Sequence, residues 1–227
     1  MKLKRSMRYL FPNKGLRGFM RYYLLFLSLG LLLLLFFRHG SLVMLINKYS
    51  AEWLDLPVLL LSDVGLGSTI AVVAVLLAFF RIRYALMGLF NLAMTGLLTG
   101  LFKNVFFHGY LRPLSFFGAD EFYRLVTTAE PNYFNSFPSG HTMAIFGFLS
   151  LVAYFTGKQW AGVLFFFVAL AVGFSRIYLC QHFIVDVYFG SVFGMLATAI
   201  TLWVSSRIPG FDQGEIFQKP IYRISFK

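Results

Sequence analysis

The sequence predicts an all-α, polytopic membrane protein: a bundle of six transmembrane helices. Of its 227 residues, 59% are hydrophobic and 13% charged, and the mean hydropathy of +0.73 is more than a water-facing surface of this size tolerates. The apolar residues fall in runs close to the ~20 needed to carry a helix across a hydrocarbon core about 30 Å thick. Backbone polar groups in lipid must be satisfied within each segment, so helices packed as one bundle follow.

The elements are predicted in order at 22–37, 59–80, 84–102, 142–156, 160–174 and 184–205, preceded by a basic arm (1–21) and followed by a basic tail (206–227). The arm carries Lys2, Lys4, Arg5, Arg8, Lys14, Arg17 and Arg21 with no acid, which places it on the cytoplasmic side. Phe37-Arg38-His39-Gly40 offers no small-residue cleavage site, so the first span is expected to be an uncleaved anchor. Alternation of sides then brings Arg81, Arg83, Lys158, Arg207, Lys219, Arg223 and Lys227 inside as well, fourteen of the twenty basic residues in all. Arg38, Lys48, Lys103, Arg112, Arg124 and Arg176 remain outside and require another account. The net charge of +11 therefore orients the chain against anionic lipid and does not point to nucleic acid.

The inner hairpins at 81–83 and 157–159 are short, whereas the outer connections are long. Residues 40–57 suit an interfacial segment, and 103–138 carry an expected short helix after Asp120. Gly96-x3-Gly100 and Gly190-x3-Gly194 have the spacing that lets helix backbones approach closely. The lone Cys180 excludes an intramolecular disulfide and reads as a small buried hydrophobe. His39 and His108 have no company comparable to that of His141 and His182 and read as interfacial.

Three polar stretches stand out, and loop charge alone puts them on one face of the membrane. The first is Lys103-Asn-Val-Phe-Phe-His-Gly-Tyr-Leu-Arg112-Pro113. The second is Pro138-Ser139-Gly140-His141, directly before an apolar run. The third is Ser175-Arg176-x5-His182-x3-Asp186. On a helix, His182 and Asp186 share a face, so the carboxylate can hold Nδ1–H and leave Nε2 free to attack; an isolated pair at this spacing reads equally well as a structural cap. Ser139 and Gly140 begin a helix, where unsatisfied N–H groups and the dipole favour anions; alone, the tetrapeptide is also an ordinary turn and cap. Lys103, Arg112 and Arg176 add cationic donors suited to phosphate, with interfacial snorkelling as the alternative for Lys103.

These stretches resemble the type 2 phosphatidic acid phosphatases (PAP2), which share a phosphate site with vanadium haloperoxidases and carry Lys-x6-Arg-Pro, Pro-Ser-Gly-His and Ser-Arg-x5-His-x3-Asp. The second and third motifs match with their spacings intact. The first has eight residues between Lys103 and Arg112, and on a continuous helix that separation turns Lys103 away from Arg112 by about half a turn. A break near Gly109 is the expected remedy.

The resemblance implies a PAP2-type core and hydrolysis of a lipid phosphate or diphosphate without metal or cofactor. His182 is then the nucleophile, Asp186 its orienting partner and His141 the acid and base; Lys103, Arg112, Ser139, Gly140 and Arg176 bind the phosphate. Asp120, Glu121 and Glu130 lack the spacing of a Mg²⁺ carboxylate set. Undecaprenyl diphosphate, phosphatidylglycerol phosphate, phosphatidate and the 1-phosphate of lipid A are the candidate substrates, presented from the periplasmic leaflet of a bacterial inner membrane. A lipid-to-lipid phosphotransferase and a non-catalytic lipid phosphate transporter or binder are the alternatives.

Overall fold

The computed structural model describes residues 13–126, 132–211 and 214–223. Lys2, Lys4, Arg5, Arg8, Glu130 and Lys227 lie outside the described residues. Among the described residues ten α-helices follow one another: α1 Lys14–Phe36, α2 Ser41–Lys48, α3 Glu52–Val64, α4 Gly67–Leu76, α5 Ile82–Leu101, α6 Pro113–Phe117, α7 Gly140–Thr156, α8 Gln159–Tyr178, α9 Ile184–Arg207 and α10 Glu215–Gln218. No strand occurs among the described residues.

Among the described residues four helices (α1, α5 with its continuation to Phe106, α8 and α9) are long and apolar enough to cross a membrane. The expected span at 59–80 is instead two helices, α3 and α4 with its 3-10 extension to Phe79, bent by 58° and counting as a fifth crossing if taken together. The remaining expected segment, the fourth in order, is α7, which has 17 residues and sits inside the bundle, packed by α1, α5, α8 and α9. Enclosed by protein, it has no hydrocarbon thickness to match.

The 58° bend has a local cause. Val64-Gly65-Leu66-Gly67 ends one helix and starts the next, with the Gly65 and Leu66 N–H groups donating to Ser62 and Asp63 carbonyls and Thr69 Oγ1 donating 2.8 Å to the Asp63 carbonyl. The freed backbone groups are thereby satisfied, as apolar surroundings demand. A Cβ at Gly65 would stand 2.7 Å from Val172 and 3.3 Å from His141, so the glycine allows α7 and α8 to close on the bend.

Between apolar helices in lipid there is little hydrophobic drive, and close backbone packing carries association. A Cβ at Gly162 would overlap the Gly15 carbonyl oxygen, and one at Gly15 would overlap that of Ala153. This clamps α1 onto α7 and α8. Residues 14–21, expected to belong to a separate arm, are thus the first turns of a packed helix, capped by Asn13, whose Oδ1 accepts from Leu16 N–H and whose Nδ2 donates 2.7 Å to the Tyr154 carbonyl. Beside it Phe19, fully buried, meets Phe146 and Phe166 edge-on at 6.1 and 5.6 Å.

Of the two expected small-residue contacts, Gly190 and Gly194 behave as predicted: both lie against the α7 backbone at Ser139 and Met143. Gly96 and Gly100 do not, since a Cβ on either meets nothing within 4 Å. The four-residue spacing specifies a smooth strip, and packing decides whether anything covers it. Where a short helix is expected after Asp120, the described residues form the 3-10 turn Ala119–Glu121, and an α-helix of the loop, α6, comes earlier, opened by Pro113 at its first position.

Candidate active site

The three polar stretches converge where α5 leaves its regular path, α7 begins and α8 hands over to α9. Lys103, Arg112, Gly140, His141, Arg176 and His182 all border one cavity of about 400 Å³.

His182 lies in the connection before α9, 1% exposed. The expectation that it shares a helix face with Asp186 is corrected here: Phe183 is the N-cap of α9, His182 precedes it, and Asp186 is the third helical residue. The spacing still works because the chain folds back over the helix start. Asp186 Oδ2 accepts the Phe183 N–H at 2.9 Å and the Ser136 hydroxyl, and lies 3.3 Å from His182 Nδ1. A carboxylate with these donors can only accept, so Nδ1 carries the proton and Nε2 is the free nitrogen. Burial, reinforced by Arg112, Lys103 and Arg176, holds the imidazole well below its ordinary pKa and hence neutral.

The loop carrying His182 is fixed by Arg176, whose backbone carbonyl accepts from both Gln181 and His182 N–H at 3.0 and 3.1 Å. A left-handed Cys180 (φ 54°) makes the tight turn. Cys180 itself is buried in an apolar cluster with Val43, Phe122 and Phe183, as its sequence context predicts. The Arg176 guanidinium donates through Nη1 to Ser62 Oγ on α3, which is what the bend after Ser62 makes possible.

The stretched first motif is accommodated by two departures from regular helix. A π turn at Phe102–Phe106, closed by the Phe107 N–H on the Phe102 carbonyl at 2.7 Å, ends α5 around Lys103. Gly109 then takes a left-handed φ of 80° while its N–H donates to Asn135 Oδ1. The break therefore starts before Gly109 and uses Gly109 to turn back. Arg112 returns to the cavity 8% exposed. Its Nε donates to the Phe134 carbonyl at 2.9 Å and its Nη1 to the Gln181 carbonyl and side chain at 3.2 and 3.1 Å.

Gly140 opens α7, with Thr99 3.1 Å from where its Cβ would be; His141 follows at the second position. Ser139, expected beside them among the phosphate donors, stands fully buried behind the wall. Its Oγ accepts from Thr142 Oγ1 at 2.9 Å and its N–H donates to the Asp186 carbonyl at 3.1 Å, tying α7 to α9. Asp186 likewise stands behind His182 and borders an aromatic hollow shared with His39. His39 is not bare interface: its ring lies 4.1 Å from that of Phe183. His108 is exposed.

Sequence reasoning missed Ser62, Ser136, Gln181 and Asn132. The last borders the cavity and donates to Gln181 Oε1 at 3.2 Å. Only Ser62, a hydroxyl inside an apolar run, carried a readable signal.

Comparisons with known proteins give both partial sequence relatives and fold neighbours. Over 79 residues (35% of the chain) it is 36% identical to the bacitracin transport permease protein BcrC of Bacillus licheniformis, and over 76 residues (33% of the chain) 36% identical to the lipid A 1-phosphatase of Porphyromonas gingivalis. These matches span 38% and 17% of the relatives' lengths. The fold is similar to that of Aquifex aeolicus LpxE (TM-score 0.61, 24% identity, 74% of this chain and 96% of that one). It is also similar to the transmembrane PAP2-type phosphatidylglycerolphosphate phosphatase of Bacillus subtilis (TM-score 0.60, 24% identity, 85% and 98%). The PAP2 superfamily pattern matches residues 84–209, more than half of the chain and all three converging stretches, and the chain therefore belongs to the PAP2 superfamily.

Proposed function

We propose that this protein is an integral-membrane lipid phosphatase that removes a terminal phosphate or diphosphate group from a membrane lipid through a phosphohistidine on His182. The observation that carries the reading is an imidazole held against a carboxylate at the wall of a cavity bordered by three cations. A binder needs the cations and has no use for the oriented nucleophile.

In the first step His182 Nε2 forms a bond to phosphorus as the bond to the lipid oxygen breaks, and His141 gives that oxygen its proton. In the second, His141 takes a proton from water, the hydroxide oxygen bonds to phosphorus, the P–N bond breaks and free phosphate leaves. One residue thus serves as acid and then base. Lys103, Arg112, Arg176 and the Gly140 N–H balance charge on the non-bridging oxygens, and donors of this kind are each worth about 3 kcal/mol of barrier. Asp186 positions His182, and Ser136 with the Phe183 N–H positions Asp186. The reading places the site on the periplasmic side with both termini cytoplasmic, supported by the distribution of basic residues.

The test is phosphate release by purified protein in EDTA from undecaprenyl diphosphate, phosphatidylglycerol phosphate, phosphatidate and lipid A 1-phosphate. At least one is expected to be turned over, with vanadate inhibiting and His182→Ala inactive. Full activity of the alanine variant, or a strict requirement for added Mg²⁺, removes the mechanism. Phosphate appearing on a second lipid and not in solution selects the phosphotransferase.

A further inference from the structure

The cavity is longer than a phosphate needs. On α5 its wall is formed by Leu92, Thr95, Gly96, Thr99 and Lys103, one helical face that runs about 16 Å at 1.5 Å per residue. The cations and both histidines hold one end, whereas Leu92, Gly96, Gly67 and Ala144 make the remaining wall apolar or bare. A side chain on Gly96 would enter open space, and one on Gly67 would reach only Leu92 Cδ1 at 3.9 Å.

A separate observation points to a ligand. Arg176 borders the same cavity, is 8% exposed, and its buried Nε has no hydrogen-bond partner among the described residues. Such a donor is costly to leave unmet. A molecule with an anionic end and a slender apolar continuation satisfies both halves of the cavity.

We propose that Gly96 is a specificity-determining residue whose missing side chain forms a slot for the first carbons of the chain attached to the phosphate. This rests on the phosphate-site reading above. Gly96 makes no contact with the reacting atoms; it sets how much apolar chain is removed from water or detergent beside them. Gly100, one turn further along α5, is equally open but takes no part in the cavity wall, which makes it the control. Replacing either glycine raises helix propensity, so neither change is expected to unfold α5.

The experiment titrates purified full-length protein with n-alkylphosphonates from methyl to hexyl by calorimetry, which needs no turnover. In the wild type and in Gly100→Leu, affinity should rise with chain length, up to about fourfold per fully buried methylene. In Gly96→Leu most of that rise should vanish. Equal wild-type affinity for methyl and hexyl compounds, or an unchanged rise in Gly96→Leu, overturns the slot while leaving the phosphate site standing. Failure of every phosphonate to bind, together with no phosphate release from any lipid, takes down the phosphate-site reading and the slot with it.

Discussion

Two sets of arginines near the C-terminal end of α8 are built in opposite ways. Arg124 donates through both terminal nitrogens to Asp55, and through Nη2 to the Tyr178 hydroxyl at 3.2 Å, while its backbone N–H donates to Asn47 Oδ1. Its charge is met inside the protein. Arg112 and Arg176 are held only by neutral oxygens, namely the Phe134 and Gln181 carbonyls, the Gln181 amide and the Ser62 hydroxyl. Neither nearby carboxylate is hydrogen-bonded to them among the described contacts: Asp186 is taken up by Ser136, Phe183 and His182, and Asp63 acts on Arg176 only through space. Neutral acceptors fix a guanidinium in place without cancelling its charge, so the first site stabilises a loop and the second is left short of an anion.

The contrast is broken most forcefully at the second site. Arg176→Ala and Arg112→Ala should each lower kcat/KM for phosphate release by about 10²–10³-fold, or about 2.7–4 kcal/mol, with melting temperature held or raised because a buried charge with no hydrogen-bonded counter-ion has gone. Activity retained within tenfold, or a large fall in melting temperature, would show that these arginines serve structure as Arg124 does.

Lys103→Ala comes next. The π turn and Gly109 bring this residue to the cavity in spite of its longer spacing from Arg112, and a working phosphate contact requires a loss of at least about tenfold, or 1.4 kcal/mol. Less than that means the turn has placed Lys103 at the rim only.

Ser136→Ala sharpens the comparison from the side of the carboxylate. Removing one donor to Asp186 costs about 1.5–3 kcal/mol for a charged acceptor, and only part of it reaches the transition state, so kcat should fall about tenfold while KM stays. A change confined to KM would mean that Ser136 acts on the substrate and not through Asp186.

How far these sites were legible follows from where the information lies. Pro138–His141 and Arg176–Asp186 each act within one short stretch, so spacing revealed them. Ser62, Ser136 and Gln181 act across the fold and carry no local pattern. Helix boundaries fared unevenly for a related reason. Segments surrounded by lipid or by other apolar helices lack an amphipathic period, so hydropathy locates the run and is blind to a break within it. Val172 and His141 crowd the bend at Gly65, and Phe193 stacks on Phe102 at the π turn, so the partners of both breaks belong to other elements. Gly96 and Gly190 show the same limit, with identical spacing, one open to the cavity and the other closed on α7.

The smallest effect belongs to Arg124, and it is the one that confines the contrast to charge balance. Its pair with Asp55 has side chains 21% and 20% exposed, so solvent screens part of the attraction and a double-mutant cycle of Arg124→Ala with Asp55→Ala should give a coupling of about 1 kcal/mol. Tyr178 touches both partners, and Tyr178→Phe should lower that coupling while sparing the core. Phosphate release should stay within about twofold of wild type in every member of the cycle, because no group of the set borders the cavity that holds His182. A loss as large as that of Arg176→Ala would mean that the outer loop carries Arg112 and Asn132 into position through Arg124, and the two arginine sites would then be one.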